Sequence, residues 1–164
     1  LSFTDITAIH DAMSNDEHTG LASKKFVYEK LEILKQKMPK VALILAKINH
    51  FNAFEKIYGR ENSMKLESEF AQRLKEIAGY ANYELFVGYF SKNNFIIALP
   101  KTGDCEGLID VIKHANLAAS LLQIRNSDDL NEFDLSINTA YKEIESSRTM
   151  AQIEIELINS FDMM

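Results

Sequence analysis

The chain has 164 residues, of which 46% are hydrophobic and 26% are charged, and 18 basic against 24 acidic side chains give it a net charge of −6. This length and composition are typical of one globular domain with one core, and they exclude a disordered or fibrous chain. The acidic balance argues against a protein that binds duplex nucleic acid, because neutralisation of phosphates by basic side chains dominates that affinity.

The first half of the chain predicts one helix, one buried strand and two more helices, in that order. Ser23 is a good N-cap, and Pro39 closes the first helix. The next apolar run is uninterrupted, which is typical of a central strand buried on both faces. Gly59 is expected to separate the two helices that follow. The predicted bounds are a helix from Ser23 to about Met38, a strand over Val41–Ile48, and helices over Phe51–Tyr58 and Glu61 to about Ile77.

The second half predicts a hairpin, a helix, a strand and a last helix. The polar stretch Ser91–Asn94 separates two apolar runs, and its asparagines tolerate positive φ, which indicates a β-hairpin. This order of elements implies a mixed sheet with helices packed on it. The predicted bounds are strands over Tyr83–Phe90 and Phe95–Leu99, a helix from Glu106 to about Leu122, a strand over Phe133–Tyr141 and a helix over Ser147–Phe161.

The numbers of cysteines and histidines give little support for a disulfide or a zinc site. Cys105 is the only cysteine, so a reducing, cytoplasmic compartment is expected. It is interpreted as a small residue at a helix start rather than as a catalytic thiol. The four histidines lack HxxxH or HExxH spacing, so no zinc site is predicted. No apolar run reaches the ~18–20 residues that span a bilayer. Because the chain begins at Leu1 rather than Met, we expect it to be part of a longer protein. Another part of that protein could attach it to a membrane.

Five stretches of the chain are similar, in order and with matching gaps, to the motifs of one family. The first, DEHTGL, resembles D-x-L-T-G-L, and the second, LILAKINHFNAFEKIYG, resembles L-x-x-x-D-x-D-x-F-K-x-x-N-D-x-x-G. The stretches are Asp16–Leu21, Leu43–Gly59, Phe70–Leu74, the hairpin Glu84–Pro100 and Phe133–Ala140. The family is that of GGDEF domains, the diguanylate cyclases, and the resemblance covers Asp16 to about Phe161.

The resemblance implies the palm-like GGDEF fold, of class α/β (α+β), with a central mixed, mostly antiparallel β-sheet flanked by α-helices. It implies that residues 16–164 form the GGDEF domain. Residues 1–15 are expected to be a linker or a helix from an upstream sensor domain, and Phe3–Thr7 is similar to the exit strand of a PAS domain. The implied parent is a larger bacterial signal-transduction protein of the PAS/GGDEF/EAL type.

The resemblance places a metal site at positions that carry no carboxylate in this sequence. A cyclase holds Mg²⁺ against a triphosphate with hard oxygen ligands. The family's two strand aspartates fall at Lys47 and Asn49, and the acidic pair of its name-giving motif falls at Asn93 and Asn94. An ammonium ~4 Å from the ion would repel it by roughly 4 kcal/mol for each unit of the ion's charge at an effective dielectric of ~20. No metal and no cofactor are therefore expected.

The positions that contact nucleotide in the family are also altered. The phosphate-side lysine falls at Asn52, and the two guanine-reading residues fall at Glu55 and Met64. An arginine is usual two residues before the motif, where Tyr89 stands. The glycine pair that lets backbone approach the nucleotide is lost, since the motif reads Ser91, Lys92, Asn93, Asn94, Phe95. We predict no catalytic residue: Lys47, Asn49, Asn52, Glu55, Met64, Asn93 and Asn94 are interpreted as vestigial active-site positions.

Two of these positions have alternative interpretations. The Lys47 ammonium could replace the metal and hold an anion or an amide network with Asn49, Asn93 and Asn94; the expected alternative is a strand-end lysine that reaches solvent or pairs with Glu55. The two hairpin asparagines could read a ligand, or they could form only the turn, which is the expectation.

Three functional hypotheses follow from the sequence. The first is a catalytically inactive, degenerate GGDEF domain, a pseudoenzyme that serves as a regulatory or interaction module in cyclic di-GMP signalling. The second is a metal-independent nucleotide receptor with a pocket between Lys47, Glu55 and the hairpin. The third is a residual diguanylate cyclase with relocated carboxylates, for which Glu55 and Glu61 are the candidates.

The partners implied by the first hypothesis are neighbouring sensor and EAL-type domains of the same protein, and a second copy in a homodimer. The hypothesis does not favour nucleotide binding, and it predicts no contact with nucleic acid or membrane by this domain. The full-length protein could still carry an active phosphodiesterase domain. The stretch Asn82–Leu85 lacks both charges of the family's R-x-x-D inhibition site, so cyclic di-GMP is not expected to bind there.

Overall fold

The computed structural model describes residues 15–80, 86–99 and 136–164. These residues form a four-stranded sheet with the strand order β2-β3-β1-β4, in which every neighbouring pair is antiparallel. A parallel bridge between Ala22 and Gly88 adds a mixed element. The predicted fold class is confirmed. The elements are α1 (Lys24–Lys37), β1 (Lys40–Ile48), α2 (Phe51–Tyr80), β2 (Phe86–Ser91), β3 (Asn94–Leu99), β4 (Ile137–Glu145) and α3 (Met150–Asp162).

Strand β1 lies at the centre of the fold and is buried on both faces, as its apolar run predicts. Its even-numbered side chains, such as Ile44, pack with Phe54 and Phe70 of α2. Its odd-numbered side chains, such as Leu43, pack on the opposite face, where Leu157 of α3 lies. Because successive side chains of a strand point to opposite faces, helices on both sides of the sheet require this uninterrupted run.

Capping residues set the ends of the helices. The Ser23 hydroxyl accepts a hydrogen bond from the backbone N–H of Phe26, and α1 begins at Lys24 as predicted. The prediction that the last helix starts at Ser147 is wrong. Thr149 and Gln152 form a reciprocal capping box, so α3 begins at Met150.

The bounds of β4 differ from prediction because distant pairing decides them. Strand β4 continues past the predicted end at Tyr141 to Glu145, where it still pairs with Lys40 of β1. The residue before it, Ser136, is not in the strand, and residues 133–135 lie outside the described part. The two helices predicted around Gly59 form one element, which non-helical angles at that glycine (φ 88°, ψ 167°) interrupt where the break was predicted.

Several predictions concern residues that the structure does not describe, and they stay predictions. They are residues 1–14, the stretch Asn82–Leu85, Cys105, and the helix over 106–122 with the loop that follows it. Within the described ranges, no helix combines the length and apolar character needed to cross a bilayer.

Candidate functional site

A cleft of about 490 Å³ opens at the C-terminal end of β1. Strand β1 runs antiparallel to β3, so its end lies beside the turn that joins β2 to β3. The start of α2 and the end of α3 complete the walls. The polar residues of the lining are Lys47, Asn49, His50, Asn52, Lys92, Asn93, Asn94, Asn138 and Asp162.

The fold thus brings together five of the seven positions interpreted as vestigial: Lys47, Asn49, Asn52, Asn93 and Asn94. Glu55 and Met64, the predicted guanine-reading positions, are not part of the lining. Met64 is half-buried further along α2.

The ammonium of Lys47 is hydrogen-bonded to another part of the protein. Its Nζ donates a hydrogen bond of 3.0 Å to the carbonyl oxygen of Phe161, in the last turn of α3. This carbonyl also accepts from the backbone N–H of Met164 at 3.2 Å. Because the last carbonyls of a helix carry partial negative charge, the lysine ammonium stabilises this end of α3. Lys47 therefore makes neither the predicted amide network nor the predicted pair with Glu55, and its head group is not simply solvated. The alternative that it holds an anion stays a prediction.

Asn93 anchors the hairpin to the end of β1. Its Oδ1 accepts from the N–H of Ile48 and its Nδ2 donates to the C=O of Ile48, both at 2.9 Å, and the side chain is buried. Its φ of 59° suits the second position of the two-residue turn formed with Lys92. The turn interpretation is confirmed, but the asparagine has a structural task beyond the turn that the sequence did not predict.

The other two amides at the predicted metal positions also have protein partners. The Nδ2 of Asn49 lies 2.6 Å from Oγ of Ser136, just before β4. The Nδ2 of Asn94 lies 2.7 Å from Oγ of Ser91, across the hairpin turn. The amide groups at the predicted metal positions therefore tie the strand ends and the turn together.

Glu55 faces the hairpin and carries an ion pair. Its carboxylate accepts from Nζ of Lys92, from Oγ of Ser63 at 2.7 Å and from Nη1 of Arg60 at 3.2 Å. The hydrogen bond from Lys92, followed by that from Ser63, lowers the pKa of the Glu55 carboxyl from 4.5 to about 2. Glu55 therefore links α2 to the hairpin turn from outside the cleft.

Glu67 is not among the residues predicted from the sequence, and its side chain is fully buried behind the hairpin. Its Oε1 accepts from Nη1 of Arg60 at 3.1 Å and lies 3.2 Å from Nε2 of His18. Its Oε2 accepts from the Tyr89 hydroxyl at 2.5 Å and from the backbone N–H of Asn93 at 2.8 Å. Burial, followed by the hydrogen bond to Glu67, raises the pKa of Tyr89.

One sequence signal could have identified Glu67. It follows Leu66 and lies three and four residues before Phe70 and Ala71, all of which are buried. That spacing places a carboxylate on the buried side of the helix, where an acidic side chain requires hydrogen-bond donors.

The donor set around the cleft does not suit Mg²⁺. Among the described residues that line it, Asp162 carries the only carboxylate, while Lys47 and Lys92 carry positive charge. Mg²⁺ requires oxygen ligands in near-octahedral geometry, usually with carboxylates among them. In the described ranges, no group of three His, Cys, Asp or Glu side chains is arranged to hold a metal ion.

Comparison with known proteins identifies the family that the chain matches and solved structures with a similar fold. A family model described as "Diguanylate cyclase, GGDEF domain" matches residues 13–156. The diguanylate cyclase SiaD from Pseudomonas aeruginosa, solved in complex with its activator SiaC, is similar with a TM-score of 0.72 at 15% identity, over 97% of this chain and 62% of that chain. The search of curated proteins gives no significant match.

Two further structures are similar at comparable identity. The GGDEF domain of DgcB from Caulobacter crescentus, in complex with c-di-GMP, has a TM-score of 0.64 at 14% identity, over 91% of this chain and 90% of that one. An S helix-GGDEF-EAL structure of LapD from Vibrio cholerae, bound to c-di-GMP, has a TM-score of 0.63 at 13% identity, over 95% of this chain and 35% of that one. At these identities the structures show a shared fold, and the chain spans less than two thirds of the SiaD and LapD chains.

Proposed function

This chain belongs to the GGDEF domain family, and we propose that it is a catalytically inactive member that serves as a regulatory and interaction module in cyclic di-GMP signalling. The observation that carries the proposal is the hydrogen bond from Lys47 to Phe161. A cyclase needs a metal-binding carboxylate at this position. Here the position carries a cation that also stabilises the end of α3. A reversion at this position would cost a structural contact as well as change a charge.

The hairpin supports the same proposal. The Asn93 side chain is committed to the backbone of Ile48, so its oxygen is not directed at a ligand. The Cβ atoms of Ser91 and Lys92 stand where the family's glycine pair allows close approach of a nucleotide. Loss of metal, phosphate and base contacts together is much harder to compensate than loss of one of them.

A module without chemistry acts through its contacts with other domains. We propose residues 1–15 as the connection to an upstream sensor domain, in a parent protein of the PAS/GGDEF/EAL type. The LapD structure joins a GGDEF to an EAL domain, and SiaD was solved with an activator protein, so related folds occur in both arrangements. The partners we propose are such neighbouring domains, or a second copy of this chain.

A second candidate function is a metal-independent nucleotide receptor. The cleft volume of about 490 Å³ lies within the range of ligand sites, and Lys47, Lys92 and His50 line it. Binding would require a phosphate to draw Lys47 from Phe161 or Lys92 from Glu55. We rank this candidate second because both ammonium groups already have partners.

The proposal is tested by incubating the chain with GTP and either Mg²⁺ or Mn²⁺ and measuring cyclic di-GMP by chromatography, with an active GGDEF cyclase as the positive control. We expect no product above the enzyme-free background. Product formation that depends on chain concentration would overturn the proposal. A parallel thermal-shift series with GTP in chelator distinguishes the receptor, which would show stabilisation without metal.

A further inference from the structure

The N-terminal turn, Asp16–Leu21, is a small unit closed by its own hydrogen bonds. The Asp16 carboxylate accepts from the backbone N–H of Thr19 at 3.0 Å and from its hydroxyl at 2.8 Å. Two backbone bonds close the ring, from Gly20 to Asp16 at 2.8 Å and from Asp16 to Leu21 at 2.7 Å. A turn bonded in this way is expected to move as one body when the chain that leads into it is displaced.

Two polar contacts attach this turn to α2, in addition to the packing of Leu21 in the core that α2 helps to form. The His18 ring lies between two carboxylates, with Nδ1 2.9 Å from Asp16 and Nε2 3.2 Å from Glu67. The Ser68 hydroxyl donates to the His18 carbonyl oxygen at 2.5 Å. The first contact reaches the buried Glu67 carboxylate, whereas the second ends on the backbone of the turn. The two contacts therefore form a matched pair that mutation can separate.

The hairpin turn, Lys92–Asn93, is held by the other oxygen of the same carboxylate. Oε2 of Glu67 accepts from the Asn93 N–H and the Tyr89 hydroxyl, while Oε1 faces His18 and Arg60. The two oxygens are fixed to one planar group, so a rotation that changes the contact of one must also change the contact of the other. A buried carboxylate is held by its donors, since an unpaired charge there is costly.

From this geometry we propose that Glu67 is a mechanical junction that couples the N-terminal turn to the hairpin turn. Displacement of His18 leaves Oε1 with Arg60 alone, the carboxylate rotates towards that guanidinium, and Oε2 moves away from the Asn93 N–H. Lys92 and Asn93 line the cleft, so the signal reaches its wall. The inference goes beyond the proposed function, because it holds whether or not the cleft binds a nucleotide.

The coupling is measured by amide hydrogen exchange at Asn93, followed by NMR in the full 164-residue chain. In His18→Ala we expect exchange at Asn93 to accelerate about tenfold, the loss equivalent to one weakened hydrogen bond to a charged group. The control Ser68→Ala removes the other contact of the same turn and should leave Asn93 unchanged. Amides of β1 paired with β4, such as that of Leu45, report any change in global stability and provide the reference.

A double-mutant cycle tests the path itself. In a Glu67→Gln background, His18→Ala should produce no further acceleration at Asn93. Equal effects of His18→Ala and Ser68→Ala, or additive effects of His18→Ala and Glu67→Gln, would overturn the inference.

A reciprocal measurement serves if Glu67→Gln does not fold. Asn93→Gly keeps the positive φ but removes the anchor to Ile48, and it should shift the Nε2 resonance of His18, since coupling between two sites acts in both directions. An unchanged His18 resonance would contradict the junction.

Discussion

The hairpin turn has two sides, and they use charge in opposite ways. On the cleft side, most polar side chains are amides or lysines and Asp162 carries the only side-chain carboxylate among the described lining residues; each of Lys47, Lys92 and Asn93 is bonded to another part of the protein. On the inner side, the fully buried carboxylate of Glu67 is contacted by four residues, which are His18, Arg60, Tyr89 and Asn93. The place of a carboxylate in the fold, rather than the number of carboxylates, therefore separates a metal site from a structural junction.

The inner side is where a single change should have the largest effect. Glu67→Ala leaves the buried Tyr89 hydroxyl and Asn93 N–H without an acceptor, so we expect the free energy of unfolding to fall by about 3 kcal/mol. Urea denaturation measures it. The control is Glu69→Ala on the same helix, whose ion pair with Arg73 is partly exposed, and a change below about 1 kcal/mol is expected there. Equal losses in both variants would remove the distinction between the two sides.

The next largest loss of stability is expected at Asn93, which anchors the hairpin turn to the end of β1. Asn93→Ala removes both bonds to the Ile48 backbone and places alanine at a φ of 59°, so we expect a loss of about 2 kcal/mol. Asn94→Ala is the matched control, because that amide bonds only to Ser91 across the turn. Should the Asn94 variant lose as much stability in the same urea experiment, the anchor would not be specific to Asn93.

On the cleft side, Lys47→Met tests whether the lysine has a structural role. It removes the cation from the end of α3, and a loss of about 1 kcal/mol is expected. Lys56→Met, at an exposed position of α2, should change stability little. Comparable denaturation midpoints for Lys47→Met and the wild-type chain would show that the contact with Phe161 contributes nothing.

The smallest expected effect is the pH dependence of the Glu55 contact. Its pKa is lower in the folded chain, about 2 against 4.5, so the folded state binds fewer protons. The stability that this carboxylate contributes is therefore present above pH 4.5 and is lost as the pH falls towards 2. The difference in unfolding free energy between wild type and Glu55→Gln should shrink over that range. Lys92→Met removes the main cause of the shift, so its Glu55-dependent loss should be smaller and should be complete at a higher pH; identical profiles would contradict the assignment.

Sequence alone predicted those parts of the molecule that local patterns control. The apolar run of β1, the Ser23 cap, the break at Gly59 and the hairpin turn all depend on neighbouring residues, and all are present. The family resemblance also placed most of the altered positions around one cleft.

The partners of those positions could not be predicted in this way. Lys47 bonds to a carbonyl 114 residues away, and Glu67 gathers donors from segments up to 49 residues distant. A lysine at a strand end has the same sequence pattern whether it is solvated or bonded within the protein. The spacing of Glu67 indicates burial, but it does not indicate which donors the carboxylate meets. Only the packing of the helices on the sheet decides which donors and acceptors meet.

Calorimetric titration with GTP tests most directly the proposal that the cleft does not support metal-dependent nucleotide chemistry. Titrations are run with Mg²⁺ and with chelator, on wild type and on Lys47→Met. We predict no Mg²⁺-dependent heat of binding in either protein, because the strand end presents an ammonium bonded to Phe161 where a carboxylate would be needed. Binding of GTP to the wild-type chain that requires Mg²⁺ would contradict the proposal.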